Sequence, residues 1–594
     1  MKTRDPDGEE RAGGTGGAAA PEGPRSDRRA LLAAIGVCLL LALVGGGWVS
    51  MERSWGWDES MHAELPAARV LLAGQQGDWG LALHAVHDCQ QYPFVYPLVL
   101  AAVQAVTGVS EHACRVAGRA FWALGCFGLF LLGRELTRSL RRARGGRPGR
   151  GDELVPWLAL ALGALSPMAL AYSGSLFLEV PFATVSIYAL HAWLRRGPGA
   201  SRWRELAAGA WVALAFFTKF NYGVLLGLGL AVDFALELVL ELRAGRGGAC
   251  LRRAAWLIAV PLLSMAWWFL LPLPLGWEMA RSHQEAFASF LGGNRDASMD
   301  TRYADRLLHL SSYLVYTPRV LLVLGLGLLV ALVSIWRPGA RALGLVLVAS
   351  AAPVWLHNFH QDRFLIPQAV PLWVLAALGL ARLLPVRARP RAVALTVLPV
   401  LCAVVPSADS GWVLDRLLGR NEEFRGYQLE VLASWRDLSP ARSIETNGLE
   451  RADSDALLAL LEPAVRPGDR VGWLGVSTRF SPAALHAGLL ERGAGAPSNL
   501  LRGELHETFI TLGHVDPEWS PEQLLAWAAP LDLVFTTSPI DLAADPKRAF
   551  MERYQTLLIE SGRWEPVSLG QLSIARPRRD PVPVEVFACR PRDQ

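Results

Sequence analysis

The chain has 594 residues, 52% of them hydrophobic, with a mean hydropathy of +0.26 and a formal net charge of +4. Such an apolar average over this length excludes an ordinary soluble protein, and several apolar runs approach the ~20 residues that cross a bilayer. The total charge is nearly balanced and says little by itself; arginine placement says more, and no nucleic-acid partner is expected.

Residues 1–29 are rich in Gly, Ala, Pro and charge, a composition that predicts a disordered tail. The run Leu31 to Val49 is long for a signal-peptide core and lacks a small-x-small cleavage site, so it reads as a retained first span. The loop 51–114 follows, and it opens with WGWDESMH, in which Asp58 and Glu59 are adjacent. Two acids at the edge of a bilayer are costly unless something uses them. Further spanning runs lie near 115–136, 154–172, 176–194, 204–218, 222–242, 254–275, 318–336, 341–356, 364–384 and 391–408.

Orientation follows from the arginines, because short cytoplasmic loops hold the excess of Lys and Arg. Arg28 and Arg29 precede the first run, and Arg134, Arg138, Arg141, Arg142 and Arg144 follow the second. Later clusters include Arg195, Arg196, Arg202 and Arg204; Arg243, Arg246, Arg252 and Arg253; Arg337 and Arg341; and Arg382, Arg387, Arg389 and Arg391. They alternate with sparsely basic connections, which places the N-terminus inside and, after eleven spans, the C-terminal domain outside. The stretch 92–109 would invert that map if it crossed, so it is read as a helix lying on the outer surface.

The outer face then receives the loops 51–114 and 276–317, the turns YSGSLFLE, TKFNY and HNFHQDR, and a domain from 409 to 594. Within that domain RVGWLGV, LDLVFTTS and VPVEVFAC read as strands, and SPAALHAGLLERG and SPEQLLAWAAP as helices, which predicts a small α/β fold. It holds no GxGxxG or phosphate-loop string. The overall expectation is a mainly α polytopic membrane protein of about eleven transmembrane helices, 30–408, with a C-terminal α/β domain.

The seven cysteines show no CxxC pair; Cys38, Cys126 and Cys402 lie in apolar runs as small hydrophobes. Cys89 and Cys114 both fall in outer segments, where a disulfide is open. His357, His360 and Asp362 cluster in an irregular turn without recognisable ligand geometry, so no metal site is expected there. Asp233 and Glu237 lie inside an apolar run, and intramembrane acids often mark ion pathways.

The string WDESMH, with His62 three residues beyond Glu59, resembles the first-loop motif of polyprenyl-phosphate-sugar-dependent glycosyltransferases. These are the protein O-mannosyltransferases and bacterial aminoarabinose transferases, glycosyltransferase family 39 and relatives, of the C-type membrane fold. QYPFVYPLVLAAVQAVTG resembles the family's surface helix, with Gln91 and Tyr92 replacing its usual His-Pro start. ACRVAGRAFWALG places Arg115 on the family's arginine, with Arg119 one turn further on as an alternative. LSPMALAYSGSLFLEVP puts Glu179 where the family has Asp or Glu. FFTKFNYGVLL places Lys219, followed by Tyr222, on its lysine motif, and QDRFLIPQAVPL places Arg363 on a late arginine. The resemblance covers roughly residues 30–385 and leaves the C-terminal domain out.

The resemblance implies a multi-pass enzyme of the bacterial inner membrane, its C-terminal domain periplasmic. It implies transfer of a sugar from a polyprenyl-phosphate donor to a protein, glycolipid or glycan acceptor. Asp58 would be the general base, and Glu59 would orient it or contact the acceptor or a divalent metal. Glu179 would be a second acid; Lys219, Arg115 and Arg363 would clamp the phosphate; His62 and Tyr222 would bind substrate. The chemistry agrees: such transfer needs a base for the incoming hydroxyl or amine and cations for the departing phosphate. The competing expectation is a transporter or flippase of lipid-linked substrates, which predicts an internal repeat and charges near the midplane. No repeat is evident, and Asp233 is the only well-centred charge. A catalytically dead relative with a scaffolding outer domain is the third possibility.

Overall fold

The structure, a computed structural model, describes residues 24–46, 60–87, 93–149, 151–164, 166, 169, 172–174, 176–196, 201–270, 279–281, 283–284, 318–356, 366–383, 451–466, 469–474, 482–494, 520–539, 548–576 and 579–592. Helix α1 is Pro24–Gly46, and a π-helical turn, Ser60–Glu64, leads into α2 (Leu65–Gln75) and α3 (Trp79–His87). Then come α4 (Val95–Thr107), α5 (Glu111–Ala143), α6 (Val155–Ala164), α7 (Glu179–Leu194), α8 (Arg202–Phe216), α9 (Phe220–Arg243) and α10 (Gly247–Phe269). The helical part continues with α11 (Pro318–Leu332), α12 (Pro338–Leu356) and α13 (Ile366–Leu383). Every expected apolar run falls on one of these helices except 391–408, which lies outside the described residues. Helix α1 starts at Pro24, inside the tail expected to be disordered; proline suits a first helical turn, whose N–H groups lack intrahelical partners anyway.

Among the described residues α5, α9, α10 and α13 are long and apolar enough to cross a membrane, by length and composition. Helix α4 has 13 residues, about 20 Å at 1.5 Å per residue, which is short of a ~30 Å hydrocarbon core. Helix α5 is the axis of the bundle and packs against α1, α6 and α7. Its start is set by Ser110, whose hydroxyl accepts from the Ala113 amide, with Glu111 in the first turn and Arg141 and Arg142 in the last. Both ends complement the helix dipole.

Lipid is as apolar as leucine, so helices in a bilayer associate by close packing at small residues. At Gly133 a Cβ would meet the Pro156 Cα at 2.9 Å, at Gly209 the Leu257 carbonyl at 2.1 Å, and at Gly379 the Gly327 carbonyl at 1.6 Å. These glycines set the α5–α6, α8–α10 and α11–α13 crossings. Within its apolar window α13 is 83% buried, whereas α9 is 28% and α10 11% buried, so α13 is central and the other two face outward.

The C-terminal domain contains α14 (Arg451–Leu461), β1 (Val471–Leu474), α15 (Pro482–Glu491), α16 (Pro521–Ala528), β2 (Leu533–Ser538), α17 (Arg548–Glu560), β3 (Trp564–Arg576) and β4 (Arg579–Pro591). The sheet order is β1-β2-β4-β3, with β1 and β2 parallel and the other pairs antiparallel. The expected strands and helices are present, and a capping box between Ser520 and Gln523 starts α16. Strand β3 was not expected from the sequence. It is an edge strand, where Pro566 is tolerated because one side needs no ladder bond. A bulge at Gly570, φ +144°, breaks its alternation.

The domain sits on the surface helices. Leu65, at the head of α2, is buried in the same cluster as Leu457, Leu461, Trp473 and Phe535, and α15 packs on the π-helical turn. Beside it the two oxygens of Glu111 are divided: Oε1 accepts from Arg115, at 2.9 Å from Nε and 2.7 Å from Nη2, and Oε2 accepts from Arg451 Nη2. Glu64, 1% exposed, and Glu491 line the same junction, and Glu64 Oε2 has no hydrogen-bond partner among the described residues. Burial, reinforced by the Glu111 and Glu491 carboxylates, holds Glu64 well above the usual carboxylate range, and burial likewise raises Glu491. Cys114 is a buried free thiol near Gln104, and Cys89 lies outside the described residues.

Two outcomes follow. Gly379→Leu should lower the unfolding midpoint of the detergent-solubilised protein, by an overpacking cost of about 1–3 kcal/mol or more, while Gly325→Leu, whose Cβ position is open, leaves it unchanged. Glu64 binds its proton more tightly folded than unfolded, so stability is greatest below the ordinary carboxylate pKa and falls as pH rises through the raised one. Glu64→Gln should therefore raise the unfolding midpoint at alkaline pH and flatten its pH dependence; an unchanged pH profile would remove Glu64 as the titrating group.

Candidate active site

Glu179 opens α7, where a carboxylate is favoured by the helix dipole, and it is 0% exposed. Lys219 lies in extended conformation, φ −158°, as the residue that caps α9. Because α8 packs on α7 and the chain reverses at 217–219, Lys219 returns to the first turn of α7. Its Nζ donates to Glu179 Oε1 at 2.5 Å. The Tyr222 ring centroid lies 5.2 Å from the same Nζ, and Phe182 packs on Tyr222 with ring centroids 5.5 Å apart. A lone buried charge would be prohibitive, whereas this pair and the ring face satisfy one another. The structure thus brings together three of the expected site residues, Glu179, Lys219 and Tyr222.

Helices α5 and α7 run parallel, with Thr184 Oγ1 donating to the Phe121 carbonyl at 3.3 Å and Tyr188 Oη to Leu124 at 2.9 Å. That register sets the first half of α5 alongside the first half of α7. Arg115 and Arg119 stand one turn apart and both are buried, but their circumstances differ. Arg115 is engaged by Glu111. Arg119 is 6% exposed, has no hydrogen-bond or ion-pair partner among the described residues, and lies against Gly174, where a Cβ would come within 3.2 Å of its Nε. The i,i+4 spacing of Glu111 and Arg115 carries the signal that separates them, because such pairs meet on one helix face.

His62, 8% exposed, lies in the π-helical turn. Ala63 of that turn packs with Cys114, Leu176 and Leu178, so the segment just after the acidic pair sits between the start of α5 and the approach to α7. Asp58, Glu59 and Arg363 lie outside the described residues, as do His357, His360 and Asp362. No group of three or more His, Cys, Asp or Glu among the described residues is placed to hold a metal ion. A cluster not expected from the sequence stacks His87 on Trp268 at 4.6 Å and on His283 at 5.2 Å. Burial and His283 lower His87 to about 4, which leaves it neutral at physiological pH.

The intramembrane acids lie at the other end of the bundle, and each has partners. Asp233 accepts from Trp193 Nε1 at 2.9 Å and from Arg341 Nε at 2.7 Å. Glu237 accepts from Arg253 Nη1 at 2.7 Å, and Glu241 from Arg246 Nε at 2.7 Å. Asp233 is therefore a structural anchor for Arg341 in the first turn of α12, and its position needs no ion pathway.

The chain is similar to the crystal structure of ArnT from Cupriavidus metallidurans in the apo state, with a TM-score of 0.54 and 17% identity over 95% of this chain and 98% of that one. The same protein bound to undecaprenyl phosphate aligns over 94% and 97% at a TM-score of 0.46 and 16% identity. The apo Archaeoglobus fulgidus oligosaccharyltransferase aligns over 92% of this chain and 74% of its own, at a TM-score of 0.47 and 12% identity. No family model matches the chain, and no curated protein does. The likeness to apo ArnT runs nearly end to end and so reaches beyond residue 385, where the resemblance in sequence stopped. The chain has the C-type glycosyltransferase fold, a polytopic helical membrane domain carrying a C-terminal domain with a small sheet.

Proposed function

We propose that this protein transfers a sugar from a polyprenyl-phosphate donor to an acceptor at the outer face of the membrane. The observation that carries the proposal is the buried Glu179–Lys219 pair with the Tyr222 ring over it, together with Arg119, which is buried on α5 against Gly174 and has no hydrogen-bond or ion-pair partner among the described residues. A buried guanidinium without a counter-ion suits a site that waits for an anion, and its planar fork matches phosphate oxygens. The fold supplies the context, since a donor with a long lipid tail presents its head group at the interface. The acceptor is a protein, a glycolipid or a glycan, and the compartment is a bacterial inner membrane with the C-terminal domain in the periplasm.

In this mechanism Asp58 takes the proton from the acceptor hydroxyl or amine. The freed electron pair attacks the anomeric carbon, and the bond from that carbon to the phosphate oxygen breaks, with its pair leaving on the polyprenyl phosphate. Arg119 and Arg363 hold the departing phosphate as its charge develops, which is where fixed cations are most effective. Arg115, engaged by Glu111, acts mainly by setting the height of α5 and the position of Arg119. Lys219 is held by Glu179, so it reaches the phosphate as one member of a pair; Glu179 tunes it and fixes its direction. Glu59 orients Asp58 or meets the acceptor or a divalent ion, and His62 and Tyr222 shape the pocket. The transporter reading loses its main support, because Asp233 is paired with Arg341 and Trp193.

Purified full-length protein supplied with polyprenyl-phosphate sugars should consume one of them. Asp58→Asn should slow the step by about 10²–10⁴-fold, the usual worth of a general base. Equal turnover by the variant would sink Asp58 as the base, and no turnover of any donor, with intact lipid-phosphate binding, would favour a binding or transport role.

A further inference from the structure

A second charged cavity lies at the arginine-rich end, between the C-terminal ends of α7 and α9 and the start of α12, with a volume of about 510 Å³. Five arginines, Arg142, Arg195, Arg196, Arg204 and Arg341, face three acids there, an excess of two positive charges. The acids do not cancel this set evenly. Arg341 is taken by Asp233 at 2.7 Å, and Arg142 by Glu135 at 3.1 Å. Arg195 and Arg204 are exposed and have no ion-pair partner among the described residues. Arg196 lies 3.4 Å over the Trp193 ring with its side chain 4% exposed; it is held only by long ion pairs to Glu205 at 3.6 Å and Glu237 at 3.5 Å, and its Nε has no hydrogen-bond partner among the described residues.

The cavity continues into a lipid-facing surface. Leu228, Val232, Leu236 and Leu240 recur every fourth residue along α9 and are 53%, 40%, 42% and 55% exposed, forming one apolar stripe. Leu240 lines the cavity, so the stripe runs straight to its mouth. Trp203, 65% exposed at the start of α8, marks the same level as interfacial, where tryptophan is favoured at the head groups.

We propose that this cavity holds the phosphate of an anionic phospholipid, with an acyl chain along the α9 stripe. Guanidinium forks fit the phosphodiester oxygens, and basic pockets between helices on the arginine-rich side recognise anionic head groups. The site is distinct from the Glu179–Lys219 end. The two lie at opposite ends of α7, whose 16 residues put them about 24 Å apart. The proposal does not depend on the transferase reading; it adds a lipid contact in the opposite leaflet, where it ties α7, α9 and α12 together.

The test uses the full chain in neutral detergent, titrated with dioleoyl phosphatidylglycerol, with dioleoyl phosphatidylcholine and with glycerol phosphate. Binding is read by native mass spectrometry and by the shift in unfolding midpoint. Phosphatidylglycerol should saturate one site at least about tenfold more tightly than phosphatidylcholine, and R195Q/R204Q should weaken it by about tenfold or more, as expected for two interfacial arginines. Both substituted side chains are exposed, so the variant's midpoint without lipid should equal that of the wild type. Equal affinity for the two lipids, or an undiminished variant, would overturn the proposal. A saturable shift with glycerol phosphate as large as with the lipid would also overturn it, by making the site one for a soluble phosphate.

Discussion

A lysine and a glutamate, both nearly sealed from solvent, meet at 2.5 Å where α7 and α9 begin. In an apolar surround neither charge is tolerable alone, so each specifies the position of the other's helix. The same constraint recurs through the molecule. Glu111 is shared between Arg115 of the helical bundle and Arg451 of the C-terminal domain, so one carboxylate fastens two parts of the chain. Asp233 is shared between Trp193 and Arg341, which joins α7, α9 and the first turn of α12. Glycine contacts bring the helices close, and the paired charges decide their register.

Against that pattern Arg119 is an exception. It is buried, charged and without a partner among the described residues. Stored cost of that kind collects at functional sites, where a ligand completes what the protein leaves open. It lies against Gly174, in the segment that leads to Glu179.

Much of this was legible in the chain, for physical reasons that can be named. Membrane-length apolar runs and arginine-rich loops predict the helices, because both follow from the cost of moving charge through hydrocarbon. The motif residue Glu179, 40 residues before Lys219, meets Lys219 and its neighbour Tyr222 as one cluster. What was not legible depends on distant partners. Asp233 suggests an ion pathway until Arg341, 108 residues away, is seen to bind it. Arg115 reads as a phosphate ligand from its motif, and its ion pair with Glu111 enters only with the structure, although the i,i+4 spacing carried that signal. Strand β3 escaped because a proline and a bulge blur its alternation, and only its place at the sheet edge makes both acceptable.

The central claim is that Arg119, a buried guanidinium without a partner among the described residues, receives a lipid phosphate. Equilibrium binding of undecaprenyl phosphate to the purified full-length protein tests it most directly, with Arg119→Gln compared against the wild type and against R195Q/R204Q. The account predicts saturable binding that Arg119→Gln weakens by about tenfold or more, the usual scale for a lost charge-assisted hydrogen bond, with the R195Q/R204Q protein unchanged. Equal binding by Arg119→Gln and the wild type would contradict it.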